Sequence, residues 1–322
     1  MENHFSKRKQ GKSLLLCVFT AIILLNLSVN TLFGQNATKE KPKSHIKLAL
    51  NAYSFNDMLT GKDQKDNKPT LTLFELLDWC ATQNIEAIDL TGYYFPGYPE
   101  VPTDEYIYEL KHHAFKLGID ISGTGIRNNF ASPDPALRAA DVERAKKWIL
   151  VAEKLGAPVV RLFAGEIPKG YENKWDEVAG WMIACYKECA AFGEKHGVII
   201  GIQNHGDMIK TAEQHIKIAK AVNSKWAGLI VDTGNYKVAD PYTDIADVIP
   251  YACNWQVKES VFEVGSPIKI DMKRFMKILK QSGYRGYIPV ETLVGKNKSY
   301  DPFVLVPQIM KELQIAKDEV YK

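Results

Sequence analysis

The residues with chemical potential lie where apolar segments of the chain break off into polar ones. Four such breaks follow one another in the second half of the sequence. Their polar residues are Gln203, Asn204 and His205, then Asp232, then Lys258 and Glu259, and finally Glu291. A carboxylate that ends an apolar strand is costly to bury unless something pairs with it. Asp232 and Glu291 would therefore favour a cation if the fold brought them together.

These breaks fall at the ends of predicted β-strands. After residue 46 the chain alternates short, β-rich apolar runs with amphipathic segments that end in glycine, which indicates a parallel sheet covered by helices. Eight runs are typical of strands: 46–51, 87–90, 119–122, 159–163, 198–203, 228–232, 254–258 and 287–291. Several are continuously apolar, as in strands buried on both faces. The sequence therefore predicts a (β/α)8 TIM barrel, in which chemistry is carried at the carboxyl ends of the strands.

Capping signals predict where several of the helices begin and end. Thr72 with Glu75, and Thr211 with Gln214, have the spacing of capping boxes at helix starts. Four glycines stand where left-handed helix caps would fall, at Gly118, Gly156, Gly197 and Gly283. These boundaries support the alternation of helices and strands.

Two long loops and two arginines add candidates for substrate binding. Residues 57–70 and 93–103 follow the first two strands, on the face where a barrel collects its substrate loops. The second loop, TGYYFPGYP with Tyr94, suits a lid or a sugar-stacking wall, or else packs on the barrel. Arg127 and Arg161 lie at the ends of the third and fourth strands. Each would bind a substrate hydroxyl or carboxylate or form a salt bridge, and we favour substrate binding for Arg161.

The first residues predict export. Basic residues precede an apolar run from Leu14 to Val29 and a small-residue segment around Gly34, which is the order of a secretory signal. The run is shorter than the roughly 20 apolar residues of a bilayer span, so an uncleaved anchor is the less favoured interpretation. We expect a signal peptide over residues 1–35, a flexible leader over 36–45 and a barrel over 46–322, with the mature protein in the periplasm.

Composition excludes several classes of partner. The chain has 322 residues, of which 46% are hydrophobic and 25% charged, as in ordinary globular proteins. Its net charge of +3 indicates no basic binding face, so we expect no nucleic-acid partner and no stable membrane association. Export would permit disulfides. The four cysteines outside the signal have no zinc-type spacing and are predicted to be small buried hydrophobic residues: Cys80, Cys185, Cys189 and Cys253.

The chain resembles the xylose isomerase-like TIM-barrel superfamily, and within it the sugar phosphate isomerase/epimerase group. The resemblance covers residues 46–315. It rests on DTGN after the sixth strand, on Lys258 and Glu259 after the seventh, and on the ending GYRGYIPVET, which includes Glu291. It implies one divalent metal ion, manganese or magnesium, bound at the ends of strands five to eight. Carried over residue by residue, the ligands are Gln203, Asp232, Gln256 and Glu291.

Two of these ligand positions depart from the family pattern, in which strands five and seven supply Glu and His. Gln203 and Gln256 present amides, whose oxygens can ligate hard cations such as Mg²⁺ or Mn²⁺ but disfavour zinc. Gln203 also cannot accept a proton, which argues against an epimerisation that uses two glutamates. A one-base reaction stays open, in which Glu291 or His205 takes the proton and the metal or Lys258 stabilises the enediolate oxygen.

Lys258 has two interpretations. It would either pair with Asp232 or Glu259, or serve as an electrophile or Schiff-base former. Of the two, we favour pairing.

Polar residues beside the predicted ligands complete the candidate site. Asn235 stands where the family often has a substrate-contacting histidine, and with Asn204 it is predicted to bind substrate. His205 has a second interpretation, as a hydrogen-bonding support for neighbouring groups. The remaining histidines, including His215, fall in the signal, the leader or predicted helix surfaces and are assigned no chemistry.

These inferences converge on an exported enzyme of carbohydrate metabolism. We expect a sugar isomerase or epimerase that forms a metal-stabilised enediolate, with Glu291 as the base. Export and the lack of a glycine-rich phosphate loop favour an unphosphorylated or keto sugar. Two alternatives stay open: a keto-sugar lyase or hydratase on the same residues, and a catalytically silent sugar-binding barrel that has lost the metal.

Overall fold

Parallel strands form the inner layer of the molecule. The computed structural model describes residues 45–62, 64–66, 68–263, 266–293 and 300–322. The strands are β1 (His45–Asn51), β2 (Ala87–Thr91), β3 (Asp120–Gly125), β4 (Val159–Phe163), β5 (Ile199–Gln203), β6 (Ala227–Asp232), β7 (Ala252–Gln256), β8 (Ser260–Glu263), β9 (Ser266–Lys269) and β10 (Arg285–Val290). All but β8 and β9 belong to one sheet, in which β1 to β7 are neighbours in chain order and β10 pairs with β1.

The sheet closes into a barrel between β7 and β10. Val257, one residue after β7, donates its N–H to the carbonyl oxygen of Pro289 at 2.8 Å. The N–H of Glu291 in turn donates to the carbonyl oxygen of Val257 at 2.9 Å. The predicted TIM barrel is confirmed. The same bonds hold the end of β10, with Glu291, beside the segment that leads to Lys258.

Helices cover the outside of the barrel. They are α1 (Asn56–Thr60), α2 (Leu73–Thr82), α3 (Asp104–Leu117), α4 (Pro135–Leu155), α5 (Trp175–His196), α6 (Ala212–Val222), α7 (Pro241–Val248), α8 (Met272–Ser282) and α9 (Pro302–Tyr321). Their inner faces carry large, fully buried side chains such as Trp148 of α4 and Phe275 of α8. None of the helices in the described part of the chain has the length and apolarity that a bilayer crossing requires.

Capping residues set several helix ends. Thr72 accepts a hydrogen bond from the N–H of Glu75 at 3.2 Å, and the Glu75 carboxylate accepts from the N–H of Thr72 at 2.8 Å, as the predicted capping box requires. Thr211 caps α6 in the same way, but the side chain of Gln214 accepts from the N–H of Lys210 instead. The second box is therefore only half formed. The four predicted glycine caps all have a left-handed φ.

The observed strands agree with the predicted ones to within three residues at each end. The largest difference is at β3, which continues to Gly125 because Thr124 and Gly125 still pair with β4. The antiparallel hairpin of β8 and β9 was not predicted. Its strands are only four residues long, and Pro267 lowers the strand propensity of the second one.

The predicted signal peptide and all but the last residue of the predicted leader lie outside the described residues. The four cysteines outside the signal are free thiols. Three of them, Cys80, Cys185 and Cys189, are buried as predicted, and Cys253 is half-buried.

Candidate active site

A cavity of about 500 Å³ opens at the carboxyl ends of the barrel strands. Each barrel strand contributes at least one residue to the cavity wall, either from the carboxyl end of the strand or from the loop that follows it. The volume lies within the range of about 300–1,000 Å³ typical of small-molecule sites. Nine residues that the sequence placed at the site line this cavity: Arg127, Arg161, Gln203, His205, Asp232, Asn235, Gln256, Lys258 and Glu291.

Lys258 joins the two carboxylates of the cavity. Its Nζ donates a hydrogen bond to the carboxylate of Glu291 and lies 3.4 Å from Oδ2 of Asp232. The exposed fraction is 8% or less for all three side chains. Pairing, the favoured interpretation of Lys258, is therefore what the geometry shows, although the second partner is Glu291 and not Glu259.

Burial and charge act in opposite directions within this cluster. Burial raises the pKa of Asp232, Lys258 lowers it, and the nearby charge of Glu291 raises it further, so that it ends above the usual value. For Lys258, burial lowers the pKa, but the attraction of Asp232 and Glu291 outweighs it and leaves the pKa raised. Lys258 is therefore a buried ammonium that keeps its charge.

Gln203 connects this cluster to Arg161. Its Nε2 donates to Oδ2 of Asp232 at 2.9 Å and also to Oε1 of Gln256. Its Oε1 accepts from Nη1 of Arg161 at 3.4 Å. This orientation follows from the partners, because a guanidinium only donates and a carboxylate only accepts.

Hydrogen bonds to the backbone fix Asp232 and explain where Asn204 lies. Asn204 accepts from the N–H of Asp232 at 2.8 Å and donates to its carbonyl oxygen at 3.0 Å. The N–H of Gly234 donates to Oδ1 of the same aspartate at 3.0 Å. Asn204 is fully buried and does not line the cavity. Both ends of the Asn204 amide bond to the backbone of Asp232 and position it, and a substrate contact of Asn204 stays a prediction.

The aromatic wall of the cavity is formed by Tyr53 and Tyr93, whose rings stand nearly perpendicular with centroids 6.5 Å apart. Tyr94, the predicted wall residue, does not line the cavity. Its hydroxyl donates to the side chain of Asn56 at 3.2 Å. The two neighbouring tyrosines lie in one 3-10 turn, where consecutive side chains point in different directions, so Tyr93 takes the position predicted for Tyr94.

Two guanidinium groups face the cavity beside this wall. Arg161 is only 3% exposed, donates from Nη2 to the hydroxyl of Tyr93 at 2.7 Å, and lies 4.0 Å from the ring centroid of Phe163. Arg127 is exposed and lies 4.6 Å from the ring centroid of Tyr93. Within the described ranges neither arginine forms a salt bridge with a carboxylate, so both charges face the space that a substrate would enter.

His205 packs its ring against Phe163, with centroids 4.2 Å apart. Desolvation in the cavity wall, together with the positive charges of Arg161, Lys258 and Lys237, lowers its pKa to about 4. At neutral pH the imidazole is therefore uncharged and can accept a hydrogen bond.

Two residues near the cavity, Tyr53 and Asp89, were not predicted, and a third, Tyr93, was predicted only as part of the loop 93–103. Tyr53 and Tyr93 follow β1 and β2, and the signal that would have found them is their place at strand ends, as for the polar residues of later strands. Asp89 lies inside the barrel on β2, where burial raises its pKa to about 7 against the opposing charge of Arg161. A carboxylate in the middle of the apolar segment AIDLT was its signal.

The four implied metal ligands do not fit a divalent ion as they stand. Lys258 already bonds to both carboxylates, and Gln203 turns a nitrogen toward Asp232 where an ion would require an oxygen. Among the described residues, no three His, Cys, Asp or Glu side chains form a group that could hold a metal ion.

Comparisons with known proteins agree with this architecture. The family model of the xylose isomerase-like TIM barrel matches residues 77–312. D-psicose 3-epimerase from Clostridium cellulolyticum H10, solved with D-tagatose, is 16% identical with a TM-score of 0.65 over 85% of this chain and 98% of that chain. A D-tagatose 3-epimerase-like protein is 20% identical, with a TM-score of 0.64 over 86% of this chain and 100% of that one.

A third similar structure, the IolI protein with a bound zinc atom, is 16% identical with a TM-score of 0.62 over 85% of this chain and 97% of that one. A divalent metal therefore occurs in a protein of the same fold. A search of curated proteins found no match to this chain.

Proposed function

The chain belongs to the xylose isomerase-like TIM-barrel family, and we propose that it is a sugar isomerase or epimerase that acts through an enediolate. The observation that carries this proposal is the contact between Glu291 and Lys258 on the cavity wall. A carboxylate beside a buried ammonium supplies both a base for a carbon-bound proton and a positive charge for the oxyanion that forms.

The reaction that these two residues support begins at a carbon next to a carbonyl group. The carboxylate of Glu291 takes the proton, and the C–H electron pair moves to form the enediolate, whose charge rests on the former carbonyl oxygen. The ammonium of Lys258 faces the same cavity and stabilises that oxygen. For the isomer, the hydroxyl proton moves to the former carbonyl oxygen and the carbon-bound proton is delivered to the former carbonyl carbon, so that the hydroxyl carbon becomes the new carbonyl. For the epimer, a proton returns to the original carbon from the opposite face and the carbonyl group reforms.

The substrate in this proposal is an unphosphorylated or keto sugar. The cavity has the size of a small-molecule site and is lined by aromatic rings and by hydrogen-bond donors, including Arg161 and Asn235. The similar epimerases are named for D-psicose and D-tagatose, which carry no phosphate. We propose that Arg161, Arg127 and Asn235 bind the sugar hydroxyls and that His205, neutral at pH 7, is the second proton carrier.

Manganese or magnesium enters this proposal only through the family resemblance. An ion would need the oxygens of Gln203, Asp232, Gln256 and Glu291 to converge, and these residues would have to rearrange around Lys258 to offer them. No step is therefore assigned to a metal. Export to the periplasm is proposed on the signal-like sequence of residues 1–35 alone.

One observation favours a second reaction, elimination by a keto-sugar lyase. Gln203 stands at the family's second-base position and has no atom that accepts a proton at neutral pH. The same enolate would then lose a leaving group from the next carbon instead of being reprotonated from the opposite face. The products of the assay below separate isomerase from lyase.

The test is exchange of carbon-bound hydrogen with solvent. Unphosphorylated ketohexoses and keto-glycosides are incubated with the protein in D₂O and followed by NMR. We expect deuterium at the carbon next to the carbonyl with the wild-type chain, and a loss of about 100-fold or more with Glu291→Gln. Glu312→Gln, which removes an ion pair with Lys269 outside the cavity, is the matched control.

Two results would contradict the proposal. One is undiminished exchange in a folded Glu291→Gln variant, which would remove Glu291 as the base. The other is sugar binding by the wild-type protein without any exchange, which would identify a silent sugar-binding barrel.

A further inference from the structure

The position of Lys258 relative to the two buried carboxylates has a consequence beyond the proposed reaction. Its Nζ bonds to Glu291 and lies 3.4 Å from Asp232, so one cation already serves both acids. Lys258 reaches this point along a defined path. Its backbone N–H donates to the hydroxyl of Thr233 at 2.9 Å. Its side chain passes Gly234 so closely that a Cβ there would lie 2.9 Å from the lysine Cγ.

The amide of Gln203 is not oriented to ligate a metal ion between these carboxylates. Gln203 presents Nε2 to Asp232 and Gln256, and its oxygen is committed to Arg161. To ligate an ion, the amide would have to flip, which would set its nitrogen against the guanidinium and leave Arg161 without this acceptor. The glutamine at position 203, where the family has glutamate, and the ammonium of Lys258 thus both face the carboxylate of Asp232.

Charge balance agrees with this arrangement. Asp232, Glu291 and Lys258, as two carboxylates and one ammonium, leave a single negative charge within their cluster. The ligand set that the family resemblance implies, with three carboxylates, one histidine and a divalent ion, also leaves a single negative charge. Replacing the glutamate at position 203 by glutamine removes one negative charge, and an ammonium in place of the divalent ion removes one positive charge.

We infer that the ammonium of Lys258 is the resident cation of this cavity and takes the place of the divalent metal ion of metal-dependent relatives. The inference deepens the proposed function, since it gives Lys258 the place of the metal ion at the enediolate oxygen, and it rests on that function only for this catalytic role. The occupation of the site by Lys258 can be tested without any substrate.

The experiment measures Mn²⁺ binding by calorimetry and by thermal unfolding. The wild-type chain, dialysed against chelator and then against buffer, should bind no stoichiometric Mn²⁺ and show no change in Tm when Mn²⁺ is added. The triple variant Gln203→Glu/Gln256→His/Lys258→Ala restores the implied ligand set and vacates the space of the lysine. It should bind one Mn²⁺, with a rise in Tm of about 5 °C or more at saturation.

The matched control is the double variant Gln203→Glu/Gln256→His, which has the same ligands but keeps Lys258. It should bind Mn²⁺ at least about tenfold more weakly than the triple variant, because the ammonium competes for the carboxylates. Equal binding by the two variants would overturn the inference. So would one equivalent of Mn²⁺ bound by the wild-type chain and lost in Asp232→Asn. The wild-type measurement decides the matter even if the multiple variants fail to fold.

These outcomes separate the inference from the proposed function. Stoichiometric Mn²⁺ in the wild-type chain together with hydrogen exchange on a sugar would overturn the inference and keep the isomerase. Absence of bound Mn²⁺ together with absence of exchange on every sugar would support Lys258 as the resident cation and overturn the isomerase.

Discussion

Lys258, Asp232 and Glu291 depend on one another because all three are almost completely removed from water. A buried charge is tolerated only when it is paired, so the lysine is as important to the folded state as to any chemistry. At this scale the sequence supplied the residue types and their places at strand ends. It did not supply the partners, because Glu259 is adjacent to Lys258 in sequence, whereas Glu291 comes near it only through the closure of the barrel.

The stability of the protein should report this dependence directly. Lys258→Met keeps the length of the side chain but leaves two buried carboxylates without a cation, so we expect the free energy of unfolding to fall by about 3 to 5 kcal/mol. Lys269→Met removes a lysine whose side chain is 66% exposed, and we expect a loss below about 1 kcal/mol. Urea unfolding at pH 7 measures both. Equal losses would show that the buried cluster does not depend on Lys258.

At the scale of the elements, the carboxyl ends of parallel strands determine which side chains meet. Strand positions followed from apolar runs and glycine caps, and nine of the predicted site residues line the cavity as a result. These signals did not predict which of two adjacent residues at a strand end would face the cavity. Tyr93 replaces Tyr94 on the cavity wall because of a 3-10 turn after β2. Asn204, the residue that follows β5, bonds to the backbone of β6 and not into the cavity, because successive residues of an extended segment face opposite sides.

The close contact between β3 and β4 gives a prediction at this scale. A Cβ on Gly125 would lie 2.6 Å from Nε and 2.9 Å from Cβ of Arg161, so Gly125→Ala must displace the guanidinium from Tyr93 and Gln203. We expect a loss of about 1 to 3 kcal/mol in the free energy of unfolding, as for an overpacked core, together with weaker sugar binding.

The control for this substitution is Gly180→Ala on α5, where an added Cβ meets no atom within 4 Å. There alanine should be neutral or stabilise the helix by up to about 1 kcal/mol. If both variants behaved alike in thermal unfolding and in calorimetry with a ketohexose, the close packing of Arg161 on β3 would not control the position of its side chain.

For the molecule as a whole, the barrel itself was predictable because its signals recur in every repeat of strand and helix. Features that occur only once in the chain could not be predicted in this way. They include the β8–β9 hairpin and the burial of His215. This histidine was assigned to a helix surface, but it is fully buried on α6. Its Nε2 donates to the carbonyl oxygen of Ile202 at 2.9 Å, and its Nδ1 accepts from the hydroxyl of Tyr236 at 2.8 Å.

The burial of His215 predicts how the stability of the whole molecule depends on pH. Burial lowers its pKa from 6.5 to about 4, so between these values the unfolded chain binds a proton that the folded chain does not. Protons therefore favour unfolding, and the contribution of His215 to stability is present above pH 6.5 and lost as the pH falls toward 4. Between pH 7 and pH 4.5 this loss amounts to roughly 2 to 3 kcal/mol.

Urea unfolding at these two pH values tests the dependence. His215→Gln should lose less stability on acidification than the wild-type chain by that amount, while His112→Gln, at an exposed position, should keep the wild-type dependence. An unchanged pH dependence in a folded His215→Gln variant would show that this histidine is not held neutral in the core.

The role of Lys258 as the cation of the cavity can be measured directly in a crystal structure of the protein grown with MnCl₂ and soaked with a ketohexose, with data collected at the manganese absorption edge. We expect the sugar in the cavity, with its carbonyl oxygen on Nζ of Lys258 and the adjacent carbon facing Glu291, and no anomalous peak between Asp232 and Glu291. A manganese ion bound by these two carboxylates with Lys258 turned away, or a sugar bound outside the cavity, would contradict the account.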